Sequence, residues 1–123
     1  MQLDALTFSA SGATQVAIDP LFEFTIPRGF TVTGVSVSGQ AYGGSPTNMN
    51  VDIVDDGTDV IAAVTAATAG TPGTWKSKAL GGTNDPVHIA ADSVVGVTIN
   101  FSGGSTPTVT GFTCVIYGNW AAV

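Results

Sequence analysis

Residues 30–39, FTVTGVSVSG, alternate apolar and polar positions, the two-residue period of a half-buried strand. The polar slots hold Thr31, Thr33, Ser36 and Ser38, and none of them is charged. The apolar set runs Phe30 and Val32, then Val35 and Val37, so the phase slips by one at Gly34. A slip at glycine predicts a β-bulge that bends the strand and keeps both halves on one core. The alternative is a strand covered on both faces.

The same period recurs along the chain. It predicts strands at 3–8, 13–18, 21–26, 30–38, 48–55, 58–65, 73–79, 93–102 and 108–118. Breaker-rich loops separate them: SASG, DP, PRG, GQAYGGSPT, DDGT, AGTPG, GGTNDP and SGGSTP. VDIVDDGTDVI reads as a hairpin with Asp56-Gly57 as a two-residue type I′ turn. That register sets Ile53 opposite Val60 and Val51 opposite Ala62. In VTGFTCVIYGNW, Phe112, Cys114 and Ile116 share one face and Thr113, Val115 and Tyr117 the other. Both faces are substantially apolar, which predicts a central strand covered on both sides. VIAAVTAATAG is the one helix candidate because Ala favours helices, but Val60, Ile61, Val64 and the threonines oppose it. No internal repeat of fixed period is visible.

Eight or nine short strands with Gly/Pro-rich loops predict an all-β fold, a two-sheet antiparallel sandwich over residues 1–123 as one domain. Jelly-roll and immunoglobulin-like arrangements both fit. The paired cysteines of antibody domains are absent, since Cys114 is alone, and this favours the jelly roll.

Composition changes the picture in one respect. Charged residues are 10% of the chain, against about 25% in ordinary soluble domains. Ser, Thr, Gly and Ala stand in their place. The net charge is −6, and the cations are Arg28, Lys76 and Lys78. Three scattered cations cannot neutralise a row of phosphates, so no nucleic-acid partner is expected, nor an anionic membrane surface. The opening MQLDALTFSA has no basic segment followed by an apolar run, so no secretory signal is expected.

Candidate chemistry is sparse. Asp52, Asp55, Asp56 and Asp59 cluster as calcium ligands would. Asp-Gly turn chemistry with solvated neighbours accounts for the same residues, and no metal is expected. His88 stands between Asp85 and Asp92, and a His–carboxylate pair can act as a general base. Cys114 sits mid-strand among apolar neighbours, as an inert buried thiol does. With neither a nucleophile elbow nor a paired-His metal motif, no catalytic residue and no cofactor are expected. The turns GQAYGG, GGTND and SGGST lack the Lys-Ser/Thr that follows a phosphate cradle. Trp75, Trp120 and Tyr42 are the candidate partner-binding residues, with Tyr117 beside them. They could form a sugar or protein platform, or each could cover an edge of its own core.

Edge strands with few charges invite association, and free-standing proteins guard them with lysine. Either the neutral faces are covered in an assembly, or the net charge and hydroxyls alone keep the chain soluble. Neutral hydroxyls suit the first account, because burying them costs less than burying ions and interface cores are depleted of charge.

FEFTIPRGFTVTGVSVSG (22–39), IAADSVVGVTINFSGG (89–104) and VTGFTCVIYGNW (109–120) resemble segments of the jelly-roll decoration, or cement, proteins of tailed bacteriophages. The resemblance implies a non-enzymatic virion protein, made in the host cytoplasm, that binds the outer surface of the capsid. Its partner would be the major capsid protein shell, and it would be a homo-oligomer, a dimer or trimer at lattice symmetry points. The alternative is a receptor-binding or carbohydrate-binding β-sandwich module of a phage tail or fibre.

Overall fold

The computed structural model describes residues 4–16, 22–67, 76–79 and 87–121, with backbone alone at 10–16, 59, 62–67 and 76–79. Among the described residues ten strands follow in order: β1 (Asp4–Val16), β2 (Phe22–Thr25), β3 (Phe30–Ser38), β4 (Ala41–Gly43), β5 (Asn48–Asp55), β6 (Thr58–Ala67), β7 (Lys76–Ala79), β8 (Val87–Ile89), β9 (Val94–Ser102) and β10 (Thr108–Trp120). They form two antiparallel sheets. One has the order β1-β10-β3-β7, with β4 also on β10 and β8 also on β3; the other has the order β2-β9-β5-β6.

Because β4 continues the lane of β3, and β7 and β8 share the next, ten strands occupy eight lanes. The pairings nest around the β5–β6 turn. β5 pairs β6, the β3 lane pairs the β7/β8 lane, β2 pairs β9 and β1 pairs β10. The described strands therefore form one long antiparallel ribbon, doubled back at Asp56-Gly57 and rolled so that its successive paired segments fall alternately in opposite sheets. That is the connectivity of a jelly roll.

Alternation fills the space between the sheets. Val35, Val37, Val51, Ile53, Val97, Phe112, Cys114 and Ile116 are all buried there. Phe8 of β1 meets Phe22 and Phe24 of β2 at ring-centroid distances of 5.7 and 5.1 Å. Phe22 stacks on Phe112 of β10 at 6.2 Å. These four rings close the side of the sandwich where β1 faces β2. A fully buried side chain of this size stabilises by roughly 1.5–3 kcal/mol.

The bulge predicted at Gly34 is present. Tyr117 pairs Gly34 but the next residue, Gly118, pairs Val32, so Thr33 is the extra residue. Phe30 and Val32 before it, and Val35 and Val37 after it, are consequently all buried. The Thr33 hydroxyl donates to the Tyr117 carbonyl at 3.5 Å. Gly118 is required opposite the bulge, because a Cβ there would lie 1.9 Å from the Thr31 carbonyl oxygen.

The β5–β6 turn also forms as predicted, with Asp55 opposite Thr58 and φ of +48° at Asp56 and +85° at Gly57. Both positive values are those of a type I′ turn. The register beyond it differs from the expectation. Ile53 pairs Ile61 in place of Val60, and Val51 pairs Val64 in place of Ala62. Two irregularities in β6 shift it, and the first brings Ile61 into the core, 2% exposed.

Three other expectations are corrected and one is met. The strands expected at 3–8 and 13–18 are one strand, β1, whose register against β10 slips between Ala10 and Thr14; SASG is an irregularity within a strand. Tyr42 lies in a short strand, β4, where a loop was expected. VIAAVTAA is strand, as predicted for 58–65 and as its β-branched residues favour. β10 is central as expected, but its outward residues Thr113, Val115 and Tyr117 are only half-buried.

Candidate interaction surface

Registered strands place outward side chains in rows. On the six-stranded sheet one row is Ser9–Thr113–Ser38, the next Thr7–Val115–Ser36, and the third Ala5–Tyr117–Gly34. No member of these rows is charged. Ala5, Thr7 and Ser9 are exposed, and the β10 residues are half-buried. Ser36 and Ser38 are 6% and 2% exposed, so β3 does not offer its hydroxyls to water as alternation alone suggests.

The outward rows of the four-stranded sheet differ. They are Asn48–Ser102, Asn50–Asn100 and Asp52–Thr98. The Asn50 amide donates to the Ser102 hydroxyl at 3.0 Å, and the Thr98 hydroxyl donates to the Asp52 carbonyl at 3.4 Å. The fold also sorts charge. The strands of this sheet carry Glu23, Asp52, Asp55 and Asp59 and no cation. Those of the six-stranded sheet carry one carboxylate, Asp4, with Lys76 and Lys78.

The candidate aromatic residues are not brought together. Tyr42 pairs Val109 at the start of β10, and Trp120 is at its end. At about 3.4 Å per residue these are over 30 Å apart along the strand. Trp120 packs edge-on against Phe30, with ring centroids 4.9 Å apart. The chain beyond it is held by Ala121 N–H donating to the Gly29 carbonyl at 2.8 Å, and by Arg28 donating to the Ala121 carbonyl. Tyr42 packs against the core, and burial raises its phenol pKa despite a backbone hydrogen bond at Gly39 that lowers it. Both residues thus cover ends of their own core. Trp75 lies outside the described residues. Tyr117, named only as a companion to the aromatic set, is the one that stands mid-sheet in the uncharged rows.

The candidate chemical groups are also dispersed. The Asp56 carboxylate accepts from Val94 N–H at 2.8 Å, and Asp56 N–H donates to the Val94 carbonyl at 2.9 Å. This reciprocal pair ties the β5–β6 turn to β9. The Asp59 side chain lies outside the described residues. Among the described residues, no three His, Cys, Asp or Glu side chains converge as ligands would. His88 is exposed on β8, where its Nδ1 lies 2.9 Å from the Thr31 hydroxyl. Asp85 lies outside the described residues. Cys114 is fully buried, and burial pushes its thiol up to about 12. It is a neutral thiol at neutral pH, without the thiolate that a nucleophile needs.

No family model and no curated protein matches the chain. Among solved structures it is similar to FlhE, at 12% identity and a TM-score of 0.47, covering 97% of this chain and 99% of that one. It is also similar to a family 35 carbohydrate-binding module from Clostridium thermocellum, at 14% identity and a TM-score of 0.42, covering 92% and 89%. The jelly roll rests on the strand order itself, and nothing of either protein's role is carried to this chain. The resemblance to phage decoration proteins is supported as far as the β-sandwich and no further.

Proposed function

We propose that this chain is a non-enzymatic structural binding protein that docks the outer rows of its six-stranded sheet onto another protein. The single observation behind this reading is the uncharged surface of Thr7, Ser9, Thr113, Val115 and Tyr117, on a molecule whose other sheet carries Glu23, Asp52, Asp55 and Asp59. A partner meeting these rows displaces water from methyls and hydroxyls and strips no ion of its hydration. The carboxylate-bearing sheet then faces solvent. From the sequence resemblance, the partner is the major capsid protein shell of a tailed phage, and the protein cements the outside of that shell. Many weak contacts on a closed lattice add through multivalency.

The test is co-sedimentation with undecorated shells, together with the shells' resistance to heat. Binding by the native chain, lost in Val115→Lys, is the expected result. Failure to bind its own shell removes this reading. A second reading, a receptor- or carbohydrate-binding module of a tail or fibre, has one observation in its favour. The amide and hydroxyl rows Asn50–Asn100 and Asn48–Ser102 can exchange hydrogen bonds with sugar hydroxyls. Glycan-array binding lost in Asn100→Ala would establish it.

A further inference from the structure

Each sheet has two edges, and among the described residues three of the four carry the devices that discourage further strand pairing. β2 is four residues long and contains Glu23. β7 is also four residues, two of them lysine, and β8, which shares its lane, is three. β6 is longer, but two register irregularities interrupt it and it contains Asp59. Short length, charge and bulges are the recognised guards of a sheet edge.

β1 differs. It has 13 residues with no lysine, arginine or proline, its one charge, Asp4, is at its first position, and its one irregularity falls after Ala10. It pairs only with β10 among the described residues, and the register is regular over Asp4–Ala10. Alternate peptide groups of that seven-residue stretch therefore point away from the sheet, unpaired among the described residues. Its outward side chains, Ala5, Thr7 and Ser9, are small and exposed, so they do not hinder an approaching strand.

We infer that the Asp4–Ala10 edge of β1 pairs antiparallel with the same edge of a second copy of this chain. A two-fold contact matches a surface to itself, and the stretch is suited to that. Centred on Thr7, it sets Asp4 of each copy opposite Ala10 of the other. The two carboxylates then lie at opposite ends of the joint, which weakens the repulsion expected of a chain with net charge −6. A different protein's strand would need no such symmetry of charge. The pairing makes the two six-stranded sheets continuous and merges their uncharged outer rows into one larger face. The inference stands independently of what that face binds.

Sedimentation equilibrium of the native chain tests it, with Thr7→Lys as the disrupting variant. The expected result is a dimer for the native chain. Thr7→Lys sets two ammonium groups across the two-fold axis and weakens the dimer about tenfold or more. Thr7→Glu alone does the same, and an equimolar mixture of the two variants restores the dimer. Ser9→Lys, on the same edge, replaces Thr7→Lys if the latter does not fold by circular dichroism. A native chain that remains monomeric overturns the inference, as does a dimer indifferent to these charges. A monomer that still binds shells sinks this inference alone and leaves the proposed function standing.

Discussion

On the outside of the six-stranded sheet, Thr7, Val115 and Ser36 stand in one cross-strand row, with Ala5–Tyr117–Gly34 beside it. On the outside of the four-stranded sheet, Asp52 stands beside Thr98 and Asn50 beside Asn100. Both faces obey the same two-residue alternation, and both cover the same core. They differ in which outward residues their strands bring together. Ionised side chains hold water tightly, and amides compete with water for every hydrogen bond, so the second face stays hydrated. The first face has methyls, a phenol ring and hydroxyls, which lose little on being covered. Alternation decides which residues leave the core; strand order decides what surface they make when they leave it.

The largest expected effect concerns the seam on which the first face depends. Gly118 passes the bulge of β3 so closely that an added Cβ would strike backbone, not a movable side chain. Gly118→Val should cost about 3 kcal/mol or more, beyond ordinary overpacking because the obstacle cannot rotate away. Urea denaturation measures it. A loss below about 1 kcal/mol would mean that β3 and β10 do not approach as described.

Next in size is the direct contrast between faces. Val115→Lys, at the centre of the first face, should weaken binding to the shell at least about tenfold, equivalent to roughly 1.4 kcal/mol. Asn100→Lys, exposed on the second face, should change it less than about twofold. Pull-down with shells measures both. The reverse ranking would assign docking to the carboxylate-bearing sheet.

Much of this was legible in the sequence, and for identifiable reasons. The phase slip at Gly34 marks the bulge because Phe30, Val32, Val35 and Val37 must all reach one core. Asp56-Gly57 marks the turn because both residues take positive φ. That turn is also the tip of the ribbon from which the whole jelly roll follows. The register of β6 was not legible, since Val60 and Ile61 are both apolar and either can face inward. β4 was hidden in a loop rich in glycine, where the pairing of Ala41–Gly43 with Thr108–Thr110 has no local signal. The sorting of carboxylates into one sheet was invisible for a deeper reason. Asp52 and Asp59 are neighbours in sequence, but Glu23 joins them only through β9, which lies between β2 and β5. The sequence offered Trp75, Trp120 and Tyr42 as one aromatic set, whereas the fold separates Tyr42 from Trp120 by the length of β10.

A smaller effect probes the tie between the turn and the second sheet. Asp56→Ala removes the acceptor for Val94 N–H and forces a Cβ-bearing residue without a local hydrogen bond to keep φ near +48°. The expected cost is about 1–2 kcal/mol. Asp56→Asn, which retains an acceptor oxygen and tolerates that conformation, should stay within about 0.5 kcal/mol of the native chain. Equal losses for both would mean that the charge, not the turn, is what the site requires.

The smallest effect lies within β3 itself, at two buried hydroxyls beneath the first face. Ser36 and Ser38 are both buried, yet Ser36 has a polar partner and, among the described residues, the Ser38 hydroxyl has none. An unpaired buried hydroxyl costs roughly 1–3 kcal/mol, whereas losing a satisfied one costs about 1 kcal/mol. Ser38→Ala should therefore raise stability by about 1 kcal/mol, seen as a rise of roughly 4 °C in Tm. Ser36→Ala should lower it by a similar amount. A natural sequence that keeps Ser38 at a cost to its own stability is keeping it for something other than the core. If Ser38→Ala instead destabilises the chain, that hydroxyl has a partner in solution. The hydroxyls of β3 then serve its own packing, and the docking face stays with the rows contributed by β1 and β10.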